Sequence, residues 1–150
     1  MSAAVPALSG ALGRRVWRLG AISAAIALGG AGIASYLTVV HDLGGTPVCA
    51  IAHGCAAVQQ SAYAAVAGVP VALLGLIGYV AILVSLTRDG QAWRTATAFL
   101  AGEPRLLGLA AWVEVGVLAA ICAWCVGSAL CMTALACVSV VRQLGAPAEG

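Results

Sequence analysis

The sequence has very few charged residues. Only 8% of its 150 residues are Asp, Glu, Lys or Arg, whereas about a quarter of the residues in a soluble domain are charged. So few charges cannot cover a water-soluble globule, which excludes a soluble enzyme, a nucleic-acid-binding protein and a disordered tail. In their place the chain has 63% hydrophobic residues, 19 glycines and a mean hydropathy of +1.06. The composition therefore predicts an integral membrane protein that lies among membrane lipids and binds no nucleic acid.

The long apolar segments set the number of membrane spans. A transmembrane helix needs ~20 mostly apolar residues, and such runs occupy residues 19–40, 69–87 and 106–141. The last run is long enough for two helices joined by a turn near residue 121. We therefore predict an all-α fold, an integral membrane four-helix bundle over residues 19–141. An outward loop at 41–68 forms a half-helix lid between the first two helices.

The arginines predict the orientation of the bundle. Every basic residue is an arginine, and a four-span topology places all of them on one side of the membrane: Arg14, Arg15, Arg18, Arg88, Arg94, Arg105 and Arg142. The positive-inside rule makes that side cytoplasmic. The N-terminal segment 1–18 and the tail 142–150 then lie in the cytoplasm. We expect a multi-pass protein of the cell inner (plasma) membrane whose loop 41–68 faces the periplasm or exterior.

Two features of this topology have alternatives. The first apolar run resembles a cleaved signal peptide, but it reaches Val40 and exceeds the roughly 7–15 apolar residues of a signal. The third helix either begins after Arg105 or begins near Trp93 and passes through Arg105. We place its start between residues 94 and 106.

Four of the six cysteines lie on the outward side in this topology. Cys49 and Cys55 fall in the outward loop, while Cys122 and Cys125 form a C-x-x-C motif at the outward start of the last span. Two pairs on the oxidising side of a membrane are typical of disulfides. The macrodipole and N–H groups at a helix start stabilise a thiolate. Cys122 is therefore the predicted reactive sulfur of a redox site.

The remaining candidate residues have simpler interpretations. Cys131 and Cys137 lie deeper in the last span and are expected to be small packing residues. His41 precedes the loop pair and His53 lies between its two cysteines. Both are either solvated loop residues or metal ligands. A four-cysteine zinc site is disfavoured because the loop pair lacks C-x-x-C-like spacing, so no metal is predicted. Taken alone, the loop pair is also compatible with a purely structural disulfide. The redox interpretation therefore depends on the C-x-x-C motif.

Two residues within the spans are also of interest. Glu114 lies inside a span, eight residues before Cys122, and an ionisable group there is costly to bury. It either carries protons or is a protonated, hydrogen-bonded acid that helps the helices to pack. Gly75 is expected to allow a close approach of another helix.

The order and spacing of these residues resemble a known family. The following pattern is similar to that of the vitamin K epoxide reductase family over nearly the whole chain: Cys49-x5-Cys55-x5-Ser61, Tyr63, Gly68-x-Pro70, Leu74-Gly75 and Cys122-x-x-Cys125. The chain resembles bacterial members that form disulfides and carry no fused thioredoxin-like domain. It departs from the family in the Ala-Trp interior of its C-x-x-C motif, where a Pro-Tyr-like pair is common.

The resemblance implies a membrane thiol–disulfide oxidoreductase that supports disulfide bond formation. A reduced periplasmic thioredoxin-like thiol oxidase would attack the outer pair, which is Cys49 and Cys55, at Cys55. Cys49 would then attack Cys122. Electrons would leave through Cys125 to a membrane quinone, either menaquinone or ubiquinone, held among the helices. The resemblance thus implies that all four cysteines are catalytic and that Ser61 and Cys125 lie at the quinone.

Three other functions are considered. Another family of four-span, quinone-linked thiol oxidases places its C-x-x-C motif in the first outward loop, the reverse of the order here. A reductase acting on vitamin K epoxide or another quinone would use the same cysteines. A non-enzymatic membrane protein with structural disulfides would keep both pairs in one redox state.

Replacing the cysteines one at a time tests the redox interpretation. We expect Cys49, Cys55, Cys122 and Cys125 to be required, because they lie at the outward face in a loop or at a helix start. Cys131→Ser and Cys137→Ser are expected to be active. Complementation of a strain that lacks periplasmic thiol oxidation measures this, and full activity of Cys122→Ser would contradict the mechanism.

Overall fold

The computed structural model of the protein describes residues 4–49, 54–88, 108 and 111–144. The α-helices in this part of the chain are α1 (Ala4–Asp42), α2 (Cys55–Gln59), α3 (Val71–Leu86) and α4 (Ala123–Leu144). Between α2 and α3 lie a 3₁₀ turn and a two-stranded antiparallel hairpin: Ala62–Ala64, then β1 (Ala65–Val66) and β2 (Val69–Pro70). A π-helical turn, Val113–Val117, precedes α4.

The two longest helices have the length and composition of membrane spans. These are the Trp17–Asp42 part of α1 and the whole of α4. With 22 residues, α4 is about 33 Å long at 1.5 Å per residue, which matches a bilayer core of ~30 Å. α3 is also apolar but has only 16 residues. A mostly helical membrane protein is consistent with these lengths.

The predicted elements agree with the described helices where the two can be compared. The predicted spans 19–40 and 69–87 fall on α1 and α3, and the predicted turn near residue 121 lies just before α4. The predicted start of the third helix, between residues 94 and 106, lies outside the described residues. Its last part is described and is helical over residues 111–117.

The hairpin between the lid and α3 is built on an unusual turn. Ala67 and Gly68 both have positive φ angles, +52° and +82°. Two consecutive positive φ values define the type I′ turn, whose twist suits a two-residue hairpin. The Gly68-Val-Pro70 sequence therefore ends the segment between α2 and α3 in a tight reversal directly before α3.

Tyr79 joins the three long helices. Its side chain on α3 is fully buried and packs in a core with Ala27, Ala34, Ile82 and Leu135. The ring lies directly against Gly30 of α1, because a Cβ there would overlap the ring atoms. Its hydroxyl donates to the Ser128 carbonyl on α4 over 2.9 Å. The hydroxyl is thus satisfied inside an apolar core, as burial requires.

The close helix approach predicted at Gly75 is not seen in the described structure. No atom of the described residues lies within 4 Å of a Cβ built on Gly75, whereas Gly30 has no room for one. The close approach lies at Gly30 because α3 turns Tyr79, rather than Gly75, toward α1.

The outer faces of the long helices are apolar. Large exposed side chains occur on all three: Ile22 and Leu28 on α1, Val80 and Val84 on α3, and Leu130 and Val140 on α4. Two threonine hydroxyls bond to the carbonyl four residues earlier, Thr38 to Ala34 at 2.8 Å and Thr133 to Ala129 at 2.8 Å. Apolar faces and hydroxyls satisfied within their own helix suit a lipid surrounding.

A substitution at Gly30 tests this packing. We expect Gly30→Ala to lower the free energy of unfolding by about 1–3 kcal/mol, the usual cost of overpacking a core. Gly29→Ala is the matched control, because no described atom lies within 4 Å of a Cβ at that position. Thermal unfolding in detergent measures both, and equal melting temperatures for the two variants would contradict the packing.

Candidate redox site

The outer cysteine pair is a disulfide. Cys49 and Cys55 are bonded, with their Cα atoms 6.3 Å apart. Cys49 follows an extended segment and is half-buried, whereas Cys55 is the first residue of α2 and only 1% exposed. The two residues of one disulfide therefore differ in exposure, and Cys49 is the more exposed of the two.

The inner pair, Cys122 and Cys125, lies at the start of α4. The Cys122 carbonyl accepts the first helical hydrogen bond, from Val126 N–H at 3.0 Å. Its Sγ accepts the backbone N–H of Cys125 over 3.4 Å, as the oxygen of an N-cap serine would. An N–H group aimed at the sulfur, together with the helix dipole, stabilises a thiolate. The predicted position of Cys122 at a helix start is confirmed.

A backbone contact brings the two pairs together. A Cβ built on Gly54 would lie 2.6 Å from Ile121 N and 2.7 Å from Ile121 O. The next residue after Gly54 is Cys55, and the next residue after Ile121 is Cys122. Both cysteines are buried, at 1% and 0% exposure. The absence of a side chain at Gly54 thus allows the outer pair to lie against the turn that carries the inner pair.

That turn contains a strained residue. Ala119 has a φ of +46°, in the left-handed region that residues other than glycine rarely adopt. It stands between the π-helical turn Val113–Val117 and Cys122. Strained backbone of this kind is held in place by its surroundings and clusters at functional sites. Here it directly precedes residues 120 and 121, whose backbone lies against Gly54.

Gln59 links the half-helix α2 to the inner pair. Its side-chain Nε2 donates to Cys125 Sγ over 3.9 Å. Gln59 lies four residues after Cys55, which places both on one face of α2. The same short helix therefore carries one outer sulfur and a hydrogen-bond donor for one inner sulfur.

A cavity adjoins Gln59. It has a volume of about 310 Å³ and lies between the end of α1 and the lid, lined by Val40, His41, Gly44, Gly45, Gln59, Gln60, Ser61, Ala64 and Ala65. Ser61, predicted near a quinone, is in this lining beside Gln59, whose side chain bonds to Cys125. Its hydroxyl donates to the Val58 carbonyl over 2.7 Å, so its oxygen remains as an acceptor.

The cavity residues fit a quinone headgroup. A quinone carbonyl needs a hydrogen-bond donor, which the Gln59 amide provides, and a quinol hydroxyl needs an acceptor, which Ser61 Oγ provides. The volume lies within the ~300–1,000 Å³ typical of small-molecule sites. Within the described residues no group of three or more His, Cys, Asp or Glu is arranged to hold a metal ion.

The other candidates have different positions. Cys131 packs against the helix core, and Cys137 is exposed on α4, so the packing predicted for Cys137 is not seen in the described part. Glu114 lies in the π-helical turn Val113–Val117, and both interpretations of its role stay predictions. His41 borders the cavity, and His53 lies outside the described residues.

Gly54 and Gln59 were not predicted from the sequence. A sequence feature could have pointed to Gln59, because a polar side chain one helical turn after Cys55 lies on the same helix face as that cysteine. The feature at Gly54 is weaker, since a glycine directly before a cysteine in a loop is a common arrangement.

The site defines a class of protein: a membrane thiol-redox protein with a loop disulfide set against a C-x-x-C motif at a helix start. The chain belongs to the vitamin K epoxide reductase family, whose family model matches residues 21–140. This is an oxidoreductase family whose members are generally quinone-linked. The resemblance found in the cysteine pattern is thereby confirmed. Comparisons with curated proteins and with solved structures returned no match.

A side chain at Gly54 is expected to separate the two pairs. In Gly54→Ala the added Cβ would meet backbone atoms of Ile121, which cannot rotate away. Small displacements of reacting groups cost one to two orders of magnitude in rate, so we expect reoxidation of the outer pair to slow by about tenfold or more. Alkylation of the outer thiols over time, after a pulse of dithiothreitol with quinone present, measures this rate. Gly29→Ala is the control, and a Gly54→Ala rate equal to it would contradict the contact's role.

Proposed function

We propose that this protein reoxidises a periplasmic thioredoxin-like thiol oxidase and passes the electrons through its two cysteine pairs to a membrane quinone. The observation that carries the proposal is the contact of Gly54 with Ile121, which sets Cys55 and Cys122 at adjoining positions. In this account the protein spans the inner membrane with both termini in the cytoplasm. Both cysteine pairs then lie at the periplasmic face, where the thiol partner is found.

Electrons enter at Cys49. A thiolate of the reduced partner attacks Cys49, the more exposed residue of the pair, and Cys55 leaves as a thiolate. The second thiol of the partner then attacks its own mixed disulfide, which releases the partner oxidised and leaves Cys49 as a thiolate. This assigns the two outer sulfurs in the opposite order to the one implied by the family resemblance. The reason is burial, since Cys55 is 1% exposed.

The outer pair then reduces the inner pair. The Cys55 thiolate attacks Cys122 of the Cys122–Cys125 disulfide, a Cys55–Cys122 bond forms, and Cys125 leaves as a thiolate. Cys49 next attacks Cys55, which closes the outer disulfide and releases Cys122 as a thiolate. The bond between Cys122 Sγ and the Cys125 N–H stabilises that thiolate at the helix start. Two electrons have moved inward, and no other reactant has been used.

Within the inner pair, Cys122 is protected from direct reaction with soluble thiols. Cys122 is 0% exposed, so a protein partner reaches it only through the outer pair. The Gln59 amide donates to Cys125 Sγ and so stabilises negative charge on the sulfur that leaves first. Gln59 and Ser61 would hold the quinone, which when bound accepts two electrons and two protons from the inner dithiol.

Turnover with a purified partner tests the proposal. The protein in lipid nanodiscs is mixed with a reduced thioredoxin-like thiol oxidase and ubiquinone or menaquinone, and quinol absorbance is followed beside the partner's thiol content. We expect one quinol per partner disulfide formed, loss of turnover in Cys55→Ser and Cys122→Ser, and normal turnover in Cys131→Ser.

Two results would contradict the proposal. If both pairs keep one redox state under all conditions, the disulfides are structural. If the quinone is not reduced but vitamin K epoxide is, the protein is an epoxide reductase that uses the same thiols.

A further inference from the structure

Trp124, the departure from the family's usual C-x-x-C interior, contacts the outer segment. Its indole Nε1 donates to the carbonyl of Val48 over 2.9 Å. The N–H of Val48 in turn donates to the Tyr36 hydroxyl over 3.1 Å. The Tyr36 and Trp124 rings contact each other, with centroids 5.0 Å apart and planes tilted by 49°. Both backbone polar groups of the residue before Cys49 are therefore held by one pair of aromatic side chains.

These contacts hold the backbone of Val48. Residues 45–49 have no regular secondary structure, and although Pro47 is buried, Val48 is 77% exposed, so packing of its own side chain contributes little to its position. Tyr36 belongs to α1 and Trp124 to α4, which are packed helices of the bundle. The two hydrogen bonds thus tie the residue before Cys49 to a rigid frame.

The frame includes the inner pair itself. Trp124 lies between Cys122 and Cys125, in the first turn of α4. Its hydrogen bond to Val48 therefore holds the residue before Cys49 against the start of α4, which carries the inner sulfurs. Disulfide exchange requires the attacking sulfur to approach along the line of the bond that breaks, so its rate depends on such alignment.

We propose that Tyr36 and Trp124 are positioning residues that hold Cys49 for the closing step of exchange between the two pairs. In that step the Cys49 thiolate attacks Cys55 of the Cys55–Cys122 bond, the Cys49–Cys55 bond forms, and Cys122 takes the electron pair. The inference rests on the proposed function. It adds a role for the Ala-Trp motif, and it predicts which intermediate accumulates when the role is lost.

The test uses variants that keep each ring and remove one hydrogen bond. Trp124→Phe loses the indole N–H, Tyr36→Phe loses the hydroxyl, and Trp17→Phe at the other end of α1 is the control. The full chain in nanodiscs, with its inner pair oxidised, is pulsed with dithiothreitol, quenched with acid, alkylated and mapped by mass spectrometry. We expect the Cys55–Cys122 species to decay about tenfold more slowly in Trp124→Phe and Tyr36→Phe. Reduction of the outer disulfide by dithiothreitol should stay within about twofold of wild type.

The possible failures are distinguishable. Decay of the Cys55–Cys122 species at the wild-type rate in both variants would overturn the positioning role. A wild-type chain in which the outer and inner pairs never exchange would instead overturn the proposed function. Equal slowing of outer-pair reduction and of decay would indicate a general loss of structure and would also overturn the inference.

Discussion

The site depends on one close contact between two backbone segments. The outer disulfide lies in a loop and the inner pair at a helix start, and exchange requires that their sulfurs meet. Gly54 makes this possible because it brings no side chain between α2 and the turn before α4. The positive φ of Ala119 shapes that turn from the other side. A contact between backbones leaves little freedom, so the relative position of the two pairs is well defined.

The remaining features of the site follow from where that contact places each sulfur. Cys55 and Cys122 are buried beside it, Cys49 is half-buried, and Cys125 lies within reach of Gln59. Cys49, where electrons enter in the proposed relay, is therefore more exposed than Cys55 and Cys122, which receive the electrons next. The apolar outer faces of α1, α3 and α4 suit a lipid surrounding. In the proposed relay, the soluble reductant therefore meets the outer pair and the membrane oxidant meets the inner pair.

Sequence reasoning identified those features that depend on composition or on local spacing. Long apolar runs predicted α1, α3 and the start of α4, and the C-x-x-C motif predicted a sulfur at a helix start, as Cys122 is. The close approach predicted at Gly75 is not seen among the described residues. A single sequence shows that a helix contains glycines but not which of them faces a neighbour. Gly30 has that role, since it lies opposite Tyr79. Gly54 and Gln59 were not predicted because a single sequence does not show contacts between distant residues. Both act through contacts with residues more than sixty positions away.

The measurement that tests the central claim most directly is a cross-link between the two buried sulfurs. In a chain carrying Cys49→Ala and Cys125→Ala, Cys55 and Cys122 have lost their usual partners. The account predicts that mild oxidation joins them rapidly and nearly completely, as mass spectrometry of the alkylated protein would show. With Cys122→Ala added, Cys55 should not pair with Cys131, which packs against the helix core instead. If Cys55 stays open to alkylation, or pairs equally well with Cys131, the two pairs do not meet and the relay is wrong.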